Sequence, residues 1–324
     1  MRYCGICFVS LLGHLVGRTM ALEDLKSKKG LALIGNLEDS DIKLLTSEKS
    51  PLSWYYNWSP TPTNSVGNST VFIPLIHSLD TLKEDNIWST LDGLPSSSQY
   101  VLTFNEPDEA EENGGSYISP EDAAKAYIED IVPHRDSSRS WQISHPVVTG
   151  SERGLNWLRD FNESCYEIDS QNGCPADFIA MHYFGDFAGV AAWLGTLRGF
   201  YNSTEFQNTS ILITEMALPQ GNEEDNISML NQTMTYLDGL DYVAGYAWFG
   251  AFRKKNANEW TGDGVSLLEN DGDLTSLGEK YLGGTTSDFK TDGGSDSDSG
   301  SYVLQTRWST IFLSLAIALG VLNM

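Results

Sequence analysis

The sequence predicts an α/β fold, a single (β/α)8 barrel, and three observations support this prediction. Eight apolar, β-branched runs recur with a period of roughly thirty residues, amphipathic stretches separate several of them, and no linker composition interrupts residues 22–286. This length also agrees with the ~250 residues of a typical barrel. The eight predicted strands are Leu31–Ile34, Trp54–Trp58, Val71–Ile76, Tyr100–Phe104, Ile143–Thr149, Phe178–Tyr183, Ile211–Thr214 and Val243–Phe249. A doubly wound open sheet is the alternative, although no Gly-x-Gly-x-x-Gly motif follows the first run.

The stretches between these strands predict the helices. Pro120–Ile131 carries apolar residues at helical spacing, and Ser119 precedes it in the N-cap position. Phe187–Tyr201 and Asn226–Leu240 have the same pattern. Strands that alternate with helices favour parallel pairing and therefore a barrel.

The composition excludes several classes of partner. Of the 324 residues, 44 are acidic and 20 are basic, so the formal net charge is −24. A polyanion of this charge is repelled by phosphate backbones and by anionic lipid headgroups. We therefore expect no nucleic-acid partner and no membrane contact except through a lipid anchor. Neutral substrates such as sugars carry no such penalty.

Both ends of the chain have the pattern of processing signals. Residues 1–21 place Arg2 before a short apolar run and end in small residues, which predicts a secretory signal peptide; a buried N-terminal helix is the alternative. Residues 287–301 form a Gly/Ser/Asp-rich stalk in which we expect the attachment site of a glycosylphosphatidylinositol (GPI) anchor, and residues 302–324 are the propeptide that attachment removes. A tail-anchoring helix is the alternative, but it would lack a basic cytoplasmic flank. We expect a secreted monomer at the cell surface, on the plasma membrane and/or in the cell wall.

Sequons and cysteines agree with a secreted glycoprotein. Seven Asn-x-Ser/Thr sequons lie between the terminal signals, at Asn57, Asn68, Asn162, Asn202, Asn208, Asn226 and Asn231. Pro60 follows the first sequon and predicts poor use of that site. Cys165 and Cys174 remain after removal of the signal, and in an oxidising compartment we expect them to form a disulfide. A two-cysteine metal site is the alternative, but no His or acidic cluster completes it.

Two glutamates at strand ends predict the chemistry. The reacting groups of such barrels lie where the strands end, and Glu106 follows the fourth run while Glu215 follows the seventh. Either residue alone could be a loop-capping or solvated glutamate. As a pair facing each other across the barrel mouth, they match the two carboxyl groups, about 5–5.5 Å apart, of a retaining glycosidase. One must be protonated to assist the leaving oxygen, and the other must be ionised to attack the anomeric carbon.

Other side chains at the same strand ends predict a sugar-binding cleft. Four aromatic residues lie there: Tyr56, Trp58, Tyr183 and Trp248. Flat rings can receive the apolar C–H face of a sugar, although barrel core is the alternative explanation for each. His182 either orients Glu215 or a sugar hydroxyl, or is a buried core histidine. Neither His-Glu-x-x-His nor Gly-x-Ser-x-Gly occurs, so we expect no metal, no cofactor and no serine hydrolysis.

Several motifs together resemble one known family. They are Asn57-Trp58, Phe104-Asn105-Glu106-Pro107-Asp108, Trp157-Leu158 followed by Cys165, Asp177-Phe178-Ile179-Ala180-Met181-His182-Tyr183, Thr214-Glu215, Tyr246-Ala247-Trp248-Phe249 and Leu274-Thr275-Ser276-Leu277-Gly278. The combination spans residues 31–282 and is similar to glycoside hydrolase family 128, the fungal β-1,3-glucanases and their alkali-sensitive linkage (Asl1-like) wall-protein relatives. That family consists of TIM barrels of glycoside hydrolase clan A.

The resemblance implies a role for each candidate residue. Glu106 would be the general acid/base and Glu215 the nucleophile, while Asn105 would bond the 2-hydroxyl of the sugar at the cleavage point. Trp248 would form the floor of that subsite. The other residues that it implies in the cleft are Tyr56, Trp58, His182 and Tyr183. Met216 departs from the family, in which we expect an aromatic residue, and this departure could reshape the cleft.

The implied function is a retaining glycoside hydrolase that cleaves β-1,3-glucan in the fungal cell wall, or that transfers the glycosyl unit to another glucan. The alternative is a non-catalytic β-1,3-glucan-binding or structural wall protein on the same barrel. Binding alone does not require two opposed carboxyl groups in different protonation states, which favours the enzyme. The expected partner in either case is β-1,3-glucan or its oligosaccharides.

Overall fold

The computed structural model describes residues 22, 25–35, 37–203, 206 and 208–290. The predicted signal peptide, the GPI propeptide and most of the predicted stalk lie outside these residues. Among the described residues, no helix has the length and apolar character needed to cross a membrane. The final helix and the buried Phe289 extend the folded domain slightly beyond residue 286, where the sequence predicted its end.

Within the described residues the chain forms nine parallel strands. They are β1 (Lys29–Leu33), β2 (Trp54–Tyr56), β3 (Val71–Phe72), β4 (Leu75–Ile76), β5 (Tyr100–Asn105), β6 (Gln142–Val147), β7 (Phe178–Phe184), β8 (Ser210–Ala217) and β9 (Val243–Ala251). The helices are α1 (Asp39–Leu45), α2 (Leu79–Leu82), α3 (Ile87–Asp92), α4 (Pro120–Ala126), α5 (Glu152–Ile168), α6 (Phe187–Phe200), α7 (Glu223–Asp238), α8 (Ser276–Leu282) and α9 (Thr286–Phe289).

The two shortest strands together complete the barrel. The strand order is β3-β2-β1-β9-β8-β7-β6-β5-β4, so β3 and β4 stand at its two ends. Only Ile73 and Pro74 separate them in the chain, and each of these residues bonds a different neighbour. Ile73 N donates to Tyr55 O at 2.9 Å, and Leu102 N donates to Pro74 O at 2.9 Å. Proline cannot donate a hydrogen bond to a neighbouring strand, so the third predicted strand is divided here into β3 and β4. Counted as one strand, they complete the predicted barrel of eight.

Apolar side chains form two layers, one inside the barrel and one between the barrel and its helices. Successive residues of a strand point to opposite faces, so each strand contributes to both layers. On β2, Tyr55 belongs to the outer layer and Tyr56 to the inner one. On β9, Ala247 points inward whereas Trp248 points outward. This alternation decides which of the aromatic residues can reach the barrel mouth.

The predicted helices are confirmed, with one changed boundary. Ser119 Oγ accepts a hydrogen bond from Asp122 N at 3.1 Å at the start of α4, and a π-helical turn continues that helix to Ile131. α7 begins at Glu223, three residues before the predicted Asn226, because Asn222 caps it. The side-chain oxygen of Asn222 accepts a hydrogen bond from Asp225 N at 2.9 Å.

The predicted disulfide between Cys165 and Cys174 is present and joins the last turn of α5 to the loop before β7. Behind it lies His145, whose ring contacts Cys174 O at 2.6 Å through Nε2 and Tyr201 Oη at 3.1 Å through Nδ1. Both side-chain nitrogens of His145 therefore have partners inside the outer apolar layer.

Candidate active site

The first carboxylate, Glu106, stands on a strained turn at the end of β5. The backbone φ is 40° at Glu106 and 30° at Phe104, two residues earlier. Residues other than glycine rarely adopt positive φ values. Such conformations cost on the order of 1–3 kcal/mol each and persist where the surroundings enforce them. Here Glu106 N donates to Val147 O of β6 at 2.7 Å, and Glu106 O accepts from Ser116 N at 3.3 Å. Both bonds hold the Glu106 backbone at the barrel mouth.

The second carboxylate, Glu215, lies within β8 and is buried. Two donors from the end of β2 converge on one of its oxygens. Tyr56 Oη donates to Glu215 Oε1 at 2.8 Å, and Trp58 Nε1 donates to the same atom at 3.0 Å. Trp58 has φ of 54°, which turns the chain at the strand end. Tyr56 and Trp58, which the sequence predicted in the cleft, each donate to Glu215 and so orient its carboxylate.

A single imidazole joins the two carboxylates. His182 of β7 is 1% exposed, and its Nδ1 lies 2.9 Å from Glu106 Oε1 in a hydrogen bond. Its Nε2 lies 3.2 Å from Glu215 Oε1, off the axis of a hydrogen bond. Glu106 and Glu215 therefore face each other across the mouth, on opposite nitrogens of one ring.

Burial and charge oppose each other at this site. Burial raises the pKa of Glu215, and the charge of Glu106 acts in the same direction, whereas His182, Tyr56 and Trp58 act against it. Burial lowers the pKa of His182, but the charges of Glu215 and Glu106 outweigh it and raise that pKa above its usual value. Burial, with the charge and hydrogen bond of Glu215, raises the pKa of Tyr56, which keeps its hydroxyl a donor.

Asn105 presents an unused acceptor beside Glu106. Its Nδ2 donates to Gly114 O at 3.1 Å, and its buried Oδ1 has no partner among the described residues. A buried polar atom without a partner is costly unless a ligand satisfies it. Asn105 can therefore accept a hydrogen bond from a hydroxyl group of a bound molecule.

Trp248 does not form the floor of the cleft, which corrects the expectation from the sequence. Its side chain is 0% exposed, lies in the outer layer, and donates from Nε1 to Val265 O at 2.9 Å. The aromatic ring that β9 places near the mouth is instead the half-buried Phe249, whose centre is 6.0 Å from that of Trp58. Because Ala247 lies on the inner face of β9, the alternation of the strand turns Trp248 outward and Phe249 toward the mouth.

Tyr183 also points away from the two carboxylates. It pairs in register with Met216, one residue beyond the His182–Glu215 pair, and both belong to the outer side of the sheet. Its ring lies so close to Gly189 of α6 that a Cβ there would stand 1.9 Å from Tyr183 Oη. Met216 is fully buried in the outer layer, so the departure from the family at this position does not reach the cleft.

Two further groups at the mouth were given no role by the sequence reasoning. Asp108 accepts from Thr149 N at 2.9 Å and from Arg153 Nε at 3.3 Å, which fastens the loop that follows Glu106. On the other side, Phe249 contacts Phe184, and Phe184 contacts Trp260 with ring centres 4.7 Å apart. Trp260 is 43% exposed. An exposed tryptophan in a loop after a barrel strand is the signal that could have identified this aromatic edge.

The described residues include no group of three or more His, Cys, Asp or Glu side chains that could hold a metal ion. The candidate site therefore consists of two carboxylates, one imidazole, one amide and a set of aromatic rings.

A family model and several solved structures are similar to this chain. A family model described as "Glycosyl hydrolase catalytic core" matches residues 30–281. No curated protein matches the chain. Among solved structures, a glycoside hydrolase family 128 (subgroup III) curdlan-specific exo-β-1,3-glucanase from Blastomyces gilchristii, in complex with glucose, is 26% identical with a TM-score of 0.60, and the match covers 79% of this chain and 97% of that one.

Two more solved structures have similar folds. A subgroup IV endo-β-1,3-glucanase of the same family from Lentinula edodes is 26% identical, with a TM-score of 0.61 and coverage of 78% of this chain and 98% of that chain. A subgroup VI exo-β-1,3-glucanase from Aureobasidium namibiae is 22% identical, with a TM-score of 0.63 and coverage of 80% and 96%. The chain thus spans nearly the whole of each of these proteins.

Proposed function

The chain belongs to the glycosyl hydrolase catalytic core family and is a glycoside hydrolase, and we propose that it cleaves β-1,3-glucan with retention of anomeric configuration. The observation that carries this proposal is the contact of one imidazole with Glu106 and Glu215, because it brings two carboxyl groups together at the carboxyl ends of the strands. The β-1,3-glucanase activity of the structurally similar proteins from Blastomyces gilchristii and Lentinula edodes supports the choice of substrate.

The donors around Glu215 favour its role as the nucleophile. Tyr56 and Trp58 both donate to Oε1, and tryptophan can only donate, so this oxygen is equipped to carry negative charge rather than a proton. These bonds oppose the effect of burial, which alone would keep the carboxyl neutral. Oε2 takes part in neither bond, which leaves it to attack the anomeric carbon.

Glu106 is then the general acid/base. It protonates the leaving glycosidic oxygen while Glu215 forms a glycosyl ester, and afterwards it removes a proton from the water that hydrolyses this ester. Its neighbour Asn105 has a free Oδ1, which we assign to the 2-hydroxyl of the sugar in the cleavage subsite. The half-buried rings of Trp58 and Phe249 form the aromatic side of that subsite.

We propose that the enzyme is secreted and anchored at the cell surface as a monomer. The apolar N-terminal segment, the C-terminal stalk and propeptide pattern, and the density of sequons support this location. The disulfide between Cys165 and Cys174 agrees with an oxidising compartment. Release of the activity from intact cells by a phosphatidylinositol-specific phospholipase tests the anchor, and release by glucanase digestion alone would instead indicate attachment to the wall.

The enzymatic proposal has a direct test. Wild-type protein, Glu106→Gln and Glu215→Gln are incubated with laminarin and with laminarihexaose, and reducing ends are counted. Each variant should lose at least about 1,000-fold in kcat but still bind the oligosaccharide, because only the reacting group changes. Proton NMR of the first product should show the β-anomer, whereas the α-anomer would contradict retention. Binding by the wild type without turnover would support a glucan-binding wall protein instead.

A further inference from the structure

The contacts of His182 define where protons must lie between the two glutamates. Each ring nitrogen faces a carboxylate oxygen, at 2.9 Å for Glu106 and 3.2 Å for Glu215. A carboxylate oxygen and an unprotonated ring nitrogen are both acceptors and repel each other at such distances. The hydrogen bond between Nδ1 and Glu106 therefore holds one proton, and the off-axis contact between Nε2 and Glu215 is attractive only if the ring nitrogen or the carboxyl group is protonated.

Three arrangements place two protons in these two contacts. The ring can hold both, as an imidazolium between two carboxylates; or Glu106 can hold one and donate it to Nδ1; or Glu215 can hold one and donate it to Nε2. Glu215 Oε1 already accepts from Tyr56 and Trp58, so a proton on that atom would face two other donors. The third arrangement is therefore disfavoured, and the mobile proton is confined to the His182–Glu106 contact.

We propose that His182 is the proton store of this active site: its ring holds, at Nδ1, the proton that Glu106 delivers to the leaving glycosidic oxygen. Nε2 keeps its own proton against Glu215 and thereby keeps the nucleophile ionised. His182 acts through Glu106 and does not touch the reacting atoms, so it is a positioning residue. This inference rests on the proposed retaining hydrolysis and adds the source of its proton.

The surroundings of the ring contain few other charges. Glu215 faces it from β8, while Glu106 and Asp108 face it from the loop after β5. Tyr56 of β2 reaches Glu215 Oε1, and the buried His77 lies close enough to Glu106 to interact with its charge. The three carboxylates raise the pKa of His182 although burial opposes them, which agrees with a resting imidazolium. At 1% exposure the ring exchanges its Nδ1 proton with Glu106 more readily than with solvent.

The proton movements balance over one turnover. In the first half, the Nδ1 proton passes to Glu106 Oε1 and on to the leaving oxygen, while the C1–O bond breaks and a C1–O bond to Glu215 forms. His182 is then neutral and Glu106 is ionised. In the second half, water attacks C1, its proton passes to Glu106 and back to Nδ1, and the ester bond to Glu215 breaks. His182, Glu106 and Glu215 then have their starting protonation states again, and one water molecule has been consumed.

The first test separates proton supply from nucleophilic attack with two substrates. Laminarihexaose needs a proton on its leaving oxygen, whereas a 2,4-dinitrophenyl β-laminaribioside does not. For His182→Gln, measured on the pH plateau where Glu215 is ionised in both proteins, kcat/KM for laminarihexaose should fall at least about 100-fold while that for the dinitrophenyl substrate changes less than about threefold, since general acid catalysis contributes ~10²–10⁴. Glu106→Gln should show the same selective loss. Tyr56→Phe is the matched control, and on the acidic limb of the pH profile it should lower both values by the same factor because it acts on the nucleophile.

Each outcome bears on the inference. An equal loss on both substrates in His182→Gln would show that the ring only maintains the site's structure, and would overturn the proposal. No turnover of either substrate by the wild type would refute the proposed hydrolysis instead. The location of the proton is then still measurable, because it does not depend on activity.

The second test is spectroscopic and uses the unaltered protein. Histidine side chains labelled with ¹⁵N are observed at pH 6, and the resonances of His182 are assigned by their absence in His182→Gln. The ring should be doubly protonated, whereas the buried His145, with a pKa lowered by burial to about 4, should be neutral in the same spectrum. A neutral His182 at this pH would overturn the proposal whatever activity the variants retain.

Discussion

Tyr56→Phe should move the acidic limb of the pH–activity profile, because Tyr56 helps to keep Glu215 ionised. The substitution removes one hydroxyl group from a fully buried ring and leaves the rest of the side chain in place. The lost bond is the 2.8 Å contact to Glu215 Oε1, which lowers the pKa of that carboxyl. Without the bond the pKa of Glu215 rises, and the ionised nucleophile becomes scarcer as the pH falls.

The size of the effect follows from the strength of the bond. A hydrogen bond to a charged group contributes about 1.5–3 kcal/mol. At 1.36 kcal/mol per unit, this corresponds to a rise of roughly one to two units in the pKa of Glu215. On the acidic limb kcat/KM should therefore fall about 10- to 150-fold. On the plateau, where Glu215 is ionised in both proteins, the difference should nearly vanish.

The adjacent residue supplies the control for this experiment. Tyr55 lies on the opposite face of β2, with its ring 5.0 Å from that of Phe72 in the outer layer. Profiles of kcat/KM against pH are measured for wild type, Tyr56→Phe and Tyr55→Phe with laminarihexaose. Tyr55→Phe should keep the wild-type limb. An unmoved limb in Tyr56→Phe, or the same displacement in both variants, would refute the reasoning.

Three further predictions concern stability and modification. Asp41→Ala should cost about 3 kcal/mol of unfolding free energy in urea, because it removes the two hydrogen bonds, of 2.7 and 2.8 Å, between this carboxylate and the buried side chain of Arg253. Glu38→Gln removes an exposed partner of the same guanidinium and should cost less than about 1 kcal/mol of unfolding free energy. Equal losses of unfolding free energy in the two variants would contradict this account. Glycopeptide mass spectrometry should find Asn226 unmodified, since it is 0% exposed and both its amide atoms are bonded. Burial lowers the pKa of His145 to about 4, so between pH 4 and pH 6.5 the unfolded chain binds one proton that the folded chain does not. The unfolding free energy of the wild type should therefore decline by about 3 kcal/mol across this interval as the pH falls. That of His145→Gln should decline less.

Much of the fold was readable from the chain because buried parallel strands consist of continuous apolar runs. All eight predicted strands are present, and Ser119 caps its helix as expected. The interruption of the third predicted strand was not anticipated, because it depends on which neighbour bonds each side of Pro74. The start of α7 was also missed. Asn226 was predicted as its first residue, whereas the helix begins at Glu223 and Asn222 is the cap.

The positions of Glu106, Glu215 and His182 at strand ends were apparent from the sequence, since polar residues that follow apolar runs mark the mouth of a barrel. Their mutual contacts were not, because a histidine between two carboxylates depends on the register of β7 with β8 and on the strained turn at Glu106. The structure places the rings of Trp248 and Tyr183 on the outer faces of their strands, away from the two carboxylates.

A strand presents its residues to alternate faces, so one irregularity reverses every assignment beyond it. On β8 such an irregularity lies between Ile213 and Glu215, which pair with the consecutive residues Met181 and His182 of β7. On β9 one lies between Val243 and Gly245, which pair with the consecutive residues Ile211 and Leu212 of β8. Local composition identifies the strands and their acidic ends, because burial of an apolar run is a property of the segment itself. The face on which each ring lies is a property of pairs of strands, and only the closed barrel settles it.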